Sequence, residues 1–194
     1  MSSTTSQAVS PEQQTLRKTA RQKRRSLRGY QQVRASFRLK NRFIYSTEFK
    51  KCQHIAFYQA IDGEVDLQKL IAAAWKKGKH CYLPILKKDS RELFFVRYKK
   101  TSRLKKSSFG IKEPQGSKKI PRSHLDLVLM PLVAFDKKGS RLGMGGGYYD
   151  FTFQKKNASR FSKPKLIAVA HRCQQVPQII PQAWDIKPAR IIAL

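Results

Sequence analysis

The sequence predicts an α/β fold: a single domain of three layers, α/β/α, with a mostly parallel central sheet and an N-terminal helical segment. Strand-like apolar runs alternate along the chain with segments of helical spacing, as in layered α/β proteins. The run at residues 125–130 is apolar except for Asp126, which is typical of a strand covered on both faces. The length of 194 residues, 40% of them hydrophobic, fits one packed core better than two.

The N-terminal segment predicts an arm followed by two helices. Residues 1–9 are rich in Ser, Thr and Gln, and we expect them to be disordered. Residues 10–13, Ser-Pro-Glu-Gln, predict a helix start with a Ser cap, and this helix would stop at Gly29. A second helix is predicted over 31–42. A basic N-terminus is also typical of a transit peptide, but the capping signal favours a folded helix. The domain is therefore expected to span 10–194.

The rest of the chain alternates between the two kinds of element. One helix has apolar residues at helical spacing, with Asp66 as its predicted N-cap and Gly78 just past its C-terminus. A later helix has poor propensity because Phe-Thr-Phe lies within it. The predicted helices are 67–77 and 148–156, and the predicted strands are 55–58, 80–86, 93–98, 125–130, 166–170 and 191–194.

Composition excludes several classes of protein. No window approaches the roughly 20 apolar residues of a membrane span, and the N-terminus lacks the apolar core of a signal peptide. The three cysteines are odd in number without C-x-x-C spacing, which argues against a disulfide framework and a zinc ribbon. The four histidines stand singly, without metal-ligand spacing. We expect a cytoplasmic protein without membrane attachment.

The chain is strongly basic, with 41 Lys and Arg against 12 Asp and Glu and a formal net charge of +29. The excess is spread along the whole sequence, so no tail or single patch accounts for it. Spread-out charge gives weak, salt-sensitive affinity for polyanions, and it also steers small polyanionic substrates. Charge alone therefore leaves two functions open: an enzyme with polyanionic substrates, and a basic nucleic-acid-binding protein on the same fold without catalysis.

Residues 125–150 carry the strongest chemical signal. A predicted buried strand leads through a turn into Arg141-Leu142-Gly143-Met144-Gly145-Gly146-Gly147 and then into a predicted helix. Four glycines in five positions allow positive φ and close approach of a ligand to the backbone. Amides before a helix start favour anions, and the Arg141 fork suits phosphate or carboxylate oxygens. The spacing matches neither G-x-x-x-x-G-K-[ST] nor G-x-G-x-x-G. A phosphate loop is favoured over a loop needed only for the bend.

Asp150 has two interpretations from the residues alone. An acid in the first helical turn stabilises the helix dipole by about 0.3–1 kcal/mol. Beside a phosphate loop, the same carboxylate could hold magnesium, which prefers oxygen ligands. Residue type and position leave both interpretations open.

Further residues extend this loop into a longer pattern. Pro131-Leu132-Val133-Ala134-Phe135-Asp136 precedes Gly139-x-Arg141-Leu142-Gly143-x-Gly145-Gly146-Gly147-Tyr148-Tyr149-Asp150. This pattern resembles the signature of the 5-formyltetrahydrofolate cyclo-ligases, also called 5,10-methenyltetrahydrofolate synthetases. Three weaker segments agree in order and spacing, so that the resemblance covers roughly residues 17–188. They are Arg17-Lys18-Thr19-Ala20-Arg21, Gly63-Glu64-Val65-Asp66 and residues 109–114.

The resemblance implies an ATP- and magnesium-dependent ligase of folate metabolism. ATP would phosphorylate the formyl oxygen of 5-formyltetrahydrofolate, and nitrogen 10 would attack the activated carbon. Loss of phosphate would close the ring to 5,10-methenyltetrahydrofolate, with release of ADP and phosphate. The expected partners are ATP and the folate with its polyglutamates. We expect a monomer that binds nucleic acid at most weakly and without specificity.

The resemblance also assigns site residues by position. The catalytic residues would be Arg141, Tyr148 and Asp150, with Asp150 as the magnesium ligand. The expected ATP contacts are Arg17, Lys18, Arg21, Arg141, Leu142, Gly143, Met144, Gly145, Gly146, Gly147, Tyr148 and Tyr149. The expected substrate contacts are Gln59, Glu64, Met144, Gly145, Gly146, Gly147 and Tyr148.

Two positions depart from the family's pattern. Arg17 stands where the family has Lys, which keeps the charge but replaces a point-like ammonium with a fork. Ala189 stands where some members carry a second magnesium-ligating Asp, four residues after the position of Asp185. The metal would then depend on Asp150 with phosphates and water, or on a shift of Asp185.

Overall fold

The computed structural model describes residues 10–86, 90–107, 110–115, 118–154 and 164–194. The predicted arm at residues 1–9 and the predicted end of the last helix at 155–156 lie outside these ranges. The extent of the domain, 10–194, stays a prediction. Within the described ranges, no helix combines the length and apolar character needed to cross a membrane.

Five α-helices and eleven strands form the described part of the chain. The helices are α1 Pro11–Arg25, α2 Gly29–Ile44, α3 Thr47–Lys51, α4 Gln68–Lys76 and α5 Tyr148–Phe153. The strands are β1 His54–Ala56, β2 His80–Leu86, β3 Leu93–Arg97, β4 Leu104–Lys106, β5 Lys112–Pro114, β6 Lys119–Ile120, β7 Leu127–Pro131, β8 Ala134–Phe135, β9 Arg141–Leu142, β10 Lys165–Ala170 and β11 Arg190–Ala193.

Seven strands form the central sheet, in the order β11-β10-β7-β1-β2-β3-β6. The first five pair in parallel, while β3 and β6 add an antiparallel edge. The mostly parallel sheet predicted from the sequence is therefore confirmed. Two short antiparallel pairs, β4 with β5 and β8 with β9, stand apart from it.

Both faces of the sheet are covered. On one face, α2 and α4 pack against inward-facing residues of β1, β2, β7 and β10, including Ile55, Leu83, Leu129 and Ile167. On the other face, α5 contributes Phe153, together with apolar residues from the connecting segments. Strand β7 is central and fully buried apart from its last residue, as its continuous apolar run predicts.

Helix α1 packs outside these two layers, against the β8–β9 pair. Its Ala20 is buried with Val133, Ala134, Leu142 and Ile179. The predicted Ser10 cap is confirmed, because the Ser10 hydroxyl accepts a hydrogen bond from the backbone N–H of Gln13 at 3.2 Å. This packing brings the N-terminal helix alongside the glycine-rich segment.

Two predicted helix ends differ from the structure. Gly29 does not stop the first helix: α1 ends at Arg25 with Ser26 as its C-cap, and Gly29 begins α2. Leu67, rather than Asp66, occupies the N-cap position of α4. The Asp66 carboxylate nevertheless accepts the N–H of Gln68 at 2.8 Å, which is the capping interaction that its type predicts. Gly78 follows the C-cap of α4 with φ +69°, as predicted.

Candidate active site

A cavity of about 290 Å³ opens at the carboxyl ends of β1, β2 and β7. Parallel α/β sheets bind ligands outside this edge because loops from several strands converge there. The walls combine apolar side chains with a few charged and polar groups. They are Tyr58, Gln59, Ile61, Glu64, Pro84, Leu86, Leu93, Ile111, Glu113, Pro131, Leu132, Arg141, Gly143, Met144, Gly146, Gly147, Tyr148, Tyr149 and Asp150.

The glycine-rich loop forms one wall of the cavity between β9 and α5. Gly145 and Gly147 adopt φ +105° and +64°, a region that side chains other than glycine rarely enter. A Cβ on Gly146 would lie 2.6 Å from Cε2 of Tyr148, so a side chain at this position would displace the Tyr148 ring. The Tyr148 ring therefore packs directly on the loop backbone, and the loop brings backbone groups to the cavity surface.

Arg141 and Asp150 form a buried ion pair beside this loop. Nη2 of Arg141 donates to Oδ1 of Asp150, which also accepts the backbone N–H of Ile186 at 3.0 Å. Nε of Arg141 is buried and has no partner within the described part of the chain. A buried polar group without a partner carries a desolvation penalty. The guanidinium is therefore suited to an anionic ligand in the cavity.

The donor set of Asp150 fits a hard divalent cation that also binds phosphate. Both hydrogen bonds between Asp150 and described residues fall on Oδ1, which leaves Oδ2 as a ligand. Among the described residues, no group of three His, Cys, Asp or Glu side chains is arranged to hold a metal. Magnesium commonly uses one or two carboxylates with phosphate oxygens and water. One carboxylate beside the glycine-rich loop is therefore compatible with this kind of ligand set.

Asp185, at the rim of this region, is half-buried. Burial raises the pKa of its carboxyl, and the neighbouring Asp150 raises it further, whereas Arg141 and Arg17 act in the opposite direction. Its Oδ2 accepts the backbone N–H of Gln182 at 2.8 Å. Four residues later, the Ala189 backbone N–H donates to the carbonyl of Leu166, and its methyl side chain has no ligand to offer.

Glu64 lies on the opposite wall with 8% of its surface exposed. Burial raises the pKa of its carboxyl to about 7, although the backbone N–H of Ile61 and the guanidinium of Arg24 both favour the charged form. The Ile61 N–H donates to Oε2 at 3.2 Å, and Nη1 of Arg24 lies 3.8 Å from Oε1. The site thus contains a carboxylate poised to change charge near neutral pH.

Gln59 supplies a hydrogen-bond donor next to Glu64. Its Oε1 accepts from Nε2 of Gln68 at 3.2 Å, which leaves its own Nε2 to donate. That Nε2 is buried and has no partner among the described residues. Gln59 and Glu64 therefore offer a donor and an acceptor on one wall of the cavity.

The three predicted α1 residues reach different places. Nε of Arg17 donates to the carbonyl of Gly143 at 2.9 Å, so α1 touches the glycine-rich loop directly. Nε of Arg21 donates to Oδ2 of Asp62 at 2.7 Å, next to the turn that carries Glu64. Lys18 lies with Arg17 and Arg21 along a groove of about 530 Å³ on the outside of α1.

The remaining predicted loop residues differ in how far they are exposed and in whether they line the cavity. Met144 is 48% exposed at the cavity rim, while Leu142 is buried in the core beneath the loop and does not line the cavity. Tyr149 lines the cavity, where burial and then the charge of Glu64 raise the pKa of its hydroxyl. The structure therefore brings Gln59, Glu64, Arg141 and residues 143, 144 and 146–150 together around one cavity, whereas Gly145 and Leu142 are not among its lining residues.

Several lining residues were not predicted from the sequence. Pro84, Leu86 and Leu93 lie at one edge of the sheet and supply apolar walls. Glu113 also lines the cavity, and its Oε1 accepts the backbone N–H of Leu86 at 3.3 Å. For Pro84 and Leu86, the sequence signal is their position at the carboxyl end of a parallel strand, where such strands meet at one edge. Leu93 begins the antiparallel strand β3 and has no such signal, whereas Glu113 lies in the segment 109–114 that resembles the family's pattern.

Comparison with known proteins agrees with this geometry. The sequence profile of the 5-formyltetrahydrofolate cyclo-ligase family matches residues 9–193. The 5-formyltetrahydrofolate cyclo-ligase of Haemophilus influenzae is 36% identical over 176 residues, which is 89% of this chain and 92% of that protein. The protein of the same name from Escherichia coli K12 is 38% identical over 169 residues, covering 86% of this chain and 91% of the relative.

Solved structures agree as well. The NMR structure of Aquifex aeolicus 5,10-methenyltetrahydrofolate synthetase matches with a TM-score of 0.79 at 31% identity, covering 93% of this chain and 89% of that chain. A 5,10-methenyltetrahydrofolate synthetase from Mycoplasma pneumoniae, at 23% identity and a TM-score of 0.73, shows the same fold. With the profile matching nearly from end to end, the chain belongs to the 5-formyltetrahydrofolate cyclo-ligase family.

Proposed function

We propose that the protein converts 5-formyltetrahydrofolate to 5,10-methenyltetrahydrofolate at the expense of ATP. The observation that supports this proposal is a single cavity with a glycine-rich loop and a buried arginine on one wall and Glu64 with Gln59 on the other. The first wall suits a triphosphate, and the second suits a flat heterocycle that has both donors and acceptors. Family membership supplies the reaction that joins the two ligands.

The proposed reaction has two steps. The oxygen of the formyl group on nitrogen 5 attacks the γ-phosphorus of ATP. The bond between the γ-phosphorus and the oxygen that bridges it to the β-phosphate breaks, and ADP is released. Nitrogen 10 then adds to the formyl carbon, loses its proton, and expels phosphate as the carbon–oxygen bond breaks. The product is the 5,10-methenyl cation. Phosphoryl transfer of this kind depends mainly on positioning and charge stabilisation.

The proposed triphosphate site is the wall made by residues 141–149. Loop amides and the Arg141 guanidinium would hold the phosphates, because a planar fork matches phosphate oxygens. Arg17 would add charge from α1, where its Nε already contacts the loop carbonyl of Gly143. Lys18 and Arg21 extend the same basic surface along the helix. The Tyr148 ring would stack on the heterocycle of the folate.

Asp150 is the proposed magnesium ligand, together with the phosphates of ATP. When bound, the cation neutralises charge on the transferred phosphoryl group. Asp150 meanwhile keeps Arg141 in place through the ion pair at Oδ1. The carboxylate therefore holds both the protein cation and the proposed metal at the phosphate wall.

Glu64 and Gln59 are the proposed pterin contacts. The amino group and ring N–H of the pterin form an amide-like edge that donates to a carboxylate, and Glu64 faces the cavity as an acceptor. The buried Nε2 of Gln59, which lacks a protein partner among the described residues, would donate to an oxygen or nitrogen of the ring. Burying these groups without a ligand is unfavourable, so ligand binding satisfies them.

We further propose that the protein works as a monomer in the cytoplasm, with polyglutamylated folates among its substrates. Cys81 and Cys173 are free thiols, which suits a reducing compartment. The net charge of +29 would give weak, salt-sensitive contacts with nucleic acid, without base recognition.

The test is an absorbance assay for the methenyl product, run in parallel with an assay for ADP release. With 5-formyltetrahydrofolate, ATP and magnesium present, we expect product and ADP to appear in equal amounts. Omission of ATP or magnesium should abolish both signals, and omission of the folate should abolish ADP release. ADP release that is independent of folate, or RNA binding without turnover, would contradict the proposal.

A further inference from the structure

Arg24 is the most deeply buried cation of the described chain. It lies in the last part of α1 with 0% of its surface exposed, and it does not line the cavity. Burying a guanidinium is strongly unfavourable unless it is paired and hydrogen-bonded. A hydrophobic residue would be expected at such a position for stability alone. We therefore look for the reason for a charged side chain at this position in the groups that Arg24 contacts.

The partners of Arg24 converge on the turn that carries Glu64. Its Nε donates to the carbonyl of Asp62 and its Nη2 to the Asp62 carboxylate, both at 2.8 Å. Its Nη1 donates to the carbonyl of Leu132, a cavity wall residue, at 3.2 Å. The same Nη1 lies 3.8 Å from Oε1 of Glu64. One planar fork thus connects α1, the Glu64 turn and the end of β7.

The turn itself has a backbone conformation that needs support. Asp62 has φ +53°, which is uncommon for a residue with a side chain, and Gly63 follows with φ +76°. A Cβ on Gly63 would approach the carbonyl oxygen of Arg24 to 3.2 Å. Strained backbone persists where surrounding contacts hold it. Arg24 supplies that restraint because it donates to both the backbone carbonyl and the carboxylate of Asp62, two residues before Glu64.

We propose that Arg24 is a positioning residue, which aims the Glu64 carboxylate into the cavity and favours its charged form, the form that accepts hydrogen bonds from the pterin. This proposal rests on the role of Glu64 given above. It adds a residue that touches neither ligand. Through Glu64, Arg24 would contribute to the recognition of a heterocycle that has adjacent N–H donors.

The electrostatic surroundings of Glu64 explain why such a residue is needed. Burial is the main cause that drives its pKa up to about 7, and the nearby Asp62 drives it the same way. Tyr58 and Tyr149 also face Glu64, and the negative charge of Glu64 contributes to the raised pKa of each hydroxyl. Among these groups, Arg24 is the positive charge that favours the carboxylate. Without it, the pKa of Glu64 would lie higher still, and the protonated form would predominate at neutral pH.

The test compares Arg24→Gln with Arg25→Gln. Arg25 is the adjacent residue on α1 and also pairs with the Asp62 carboxylate, but its side chain is 58% exposed and does not contact Glu64 among the described contacts. We expect Arg24→Gln to raise the KM for 5-formyltetrahydrofolate by about 10- to 100-fold, since small displacements of a positioned group have effects of this size. The KM for ATP should change by less than about twofold. Arg25→Gln should leave both constants within about twofold.

The pH profile separates positioning from a structural role. At saturating ATP, the acid limb of kcat/KM for the folate should lie near pH 7 in the unaltered protein, because Glu64 must be ionised. Arg24→Gln should move this limb to higher pH, and Arg24→Lys, which keeps the charge without the fork, should restore part of its position. Arg24→Lys also covers the case in which Arg24→Gln does not fold.

The final readout is a double-mutant cycle with Glu64→Gln. If Arg24 acts through Glu64, Arg24→Gln should not raise the folate KM further in the Glu64→Gln background. An equal rise in both backgrounds, or an equal rise in the ATP and folate KM, would show that Arg24 only supports the fold. If Glu64→Gln itself leaves folate binding unchanged, the proposed contact of Glu64 with the pterin is wrong, and so is the proposed role of Arg24.

Discussion

Glu64 combines a functional position with an unfavourable environment. Its carboxyl is buried, and its pKa lies at about 7 instead of 4.5. The folded protein therefore binds a proton between about pH 4.5 and pH 7 that the unfolded chain releases, and wild-type stability falls as the pH rises through this window. A residue of this kind lowers stability at the pH at which the protein works, as functional sites commonly do.

The first prediction at this scale is that Glu64→Gln stabilises the protein at pH 8. A pKa displaced from 4.5 to about 7 is equivalent to roughly 3 kcal/mol of unfolding free energy, which is an upper bound for the gain. The gain should be absent near pH 4.5. Urea unfolding at both pH values measures it.

The matched control for Glu64→Gln is Glu48→Gln, for which the opposite sign is expected. Burial opposes ionisation of Glu48, but its own backbone N–H, Lys165 and Arg190 lower the pKa of its carboxyl below the usual value. Glu48→Gln should therefore destabilise the protein at pH 8 and less so in acid. A Glu64→Gln variant that is less stable than wild type at pH 8 would contradict the burial argument.

The second prediction concerns the ion pair at the phosphate wall. Asp150→Asn keeps the side-chain shape but removes the charge that the proposed metal needs, while the amide oxygen still accepts from Arg141. Loss of outer-shell partners alone reduces metal affinity by about 10- to 100-fold, so loss of the ligand should lower turnover by at least about 100-fold with the fold intact. Magnesium titration of the folate assay and circular dichroism measure both effects.

Asp66→Asn is the control for Asp150→Asn. The exposed Asp66 carboxylate accepts the N–H of Gln68 at 2.8 Å, and an asparagine oxygen can do the same. This variant should retain full turnover. Unchanged turnover in Asp150→Asn would remove Asp150 from the metal site and leave it as a partner of Arg141 alone.

At the scale of the element, the glycine-rich loop depends on contact between its backbone and the Tyr148 ring. The Cβ of an alanine at position 146 would lie 2.6 Å and 2.8 Å from two atoms of that ring, so the ring must move. Its displacement should raise the folate KM by at least about tenfold. Because φ at position 146 is not in the left-handed region, the melting temperature should change little.

Gly29→Ala provides the matched substitution for this third prediction. Gly29 begins α2, and no atom lies within 4 Å of the Cβ it would gain. Its kinetics should match those of the unaltered protein, with a small gain in stability. Normal folate binding by Gly146→Ala would mean that the Tyr148 ring has no part in the site.

Helix α1 also acts as one element. Its Arg17 contacts the loop proposed to bind the triphosphate, and its Arg24 contacts the turn that carries the proposed pterin ligand Glu64. The two positions are seven residues apart, or two turns, so they lie on the same side of the helix. A single helix therefore contacts the segments that form both walls of the cavity. It fixes the position of the two proposed ligand sites relative to each other.

At the scale of the whole molecule, the net charge of +29 should act on both proposed substrates. ATP and polyglutamylated folates are polyanions, and we expect a positive surface to concentrate them near the cavity. The fourth prediction is that the KM for each rises severalfold between about 50 mM and about 300 mM salt, because screening shortens the range of the attraction. Steady-state kinetics with mono- and pentaglutamate substrates measure it, and the longer tail should show the steeper dependence. Salt-independent KM values would contradict the steering argument.

Much of this molecule follows from local patterns in the sequence. The Ser10 cap, the position of Gly78 and the buried strand β7 depend on neighbouring residues, so their residue types predict them. The glycine-rich loop can also be predicted from the sequence, because few residues other than glycine adopt the positive φ found at Gly145 and Gly147. The short pairs β4–β5 and β8–β9 were missed, since two or three residues carry too little periodicity to identify a strand.

Contacts between distant residues were decided only by the tertiary structure. Arg24 meets Glu64 across 40 positions of the sequence, and Asp150 accepts a backbone N–H from Ile186, 36 residues away. Local spacing holds no information about such pairs, because they form only when the parallel strands bring their carboxyl ends to one edge. The sequence by itself identified the glycine-rich loop and, through its resemblance to the family, the residues proposed to bind phosphate and pterin. Folding decided which buried charges hold them in place, and so set the pKa of Glu64.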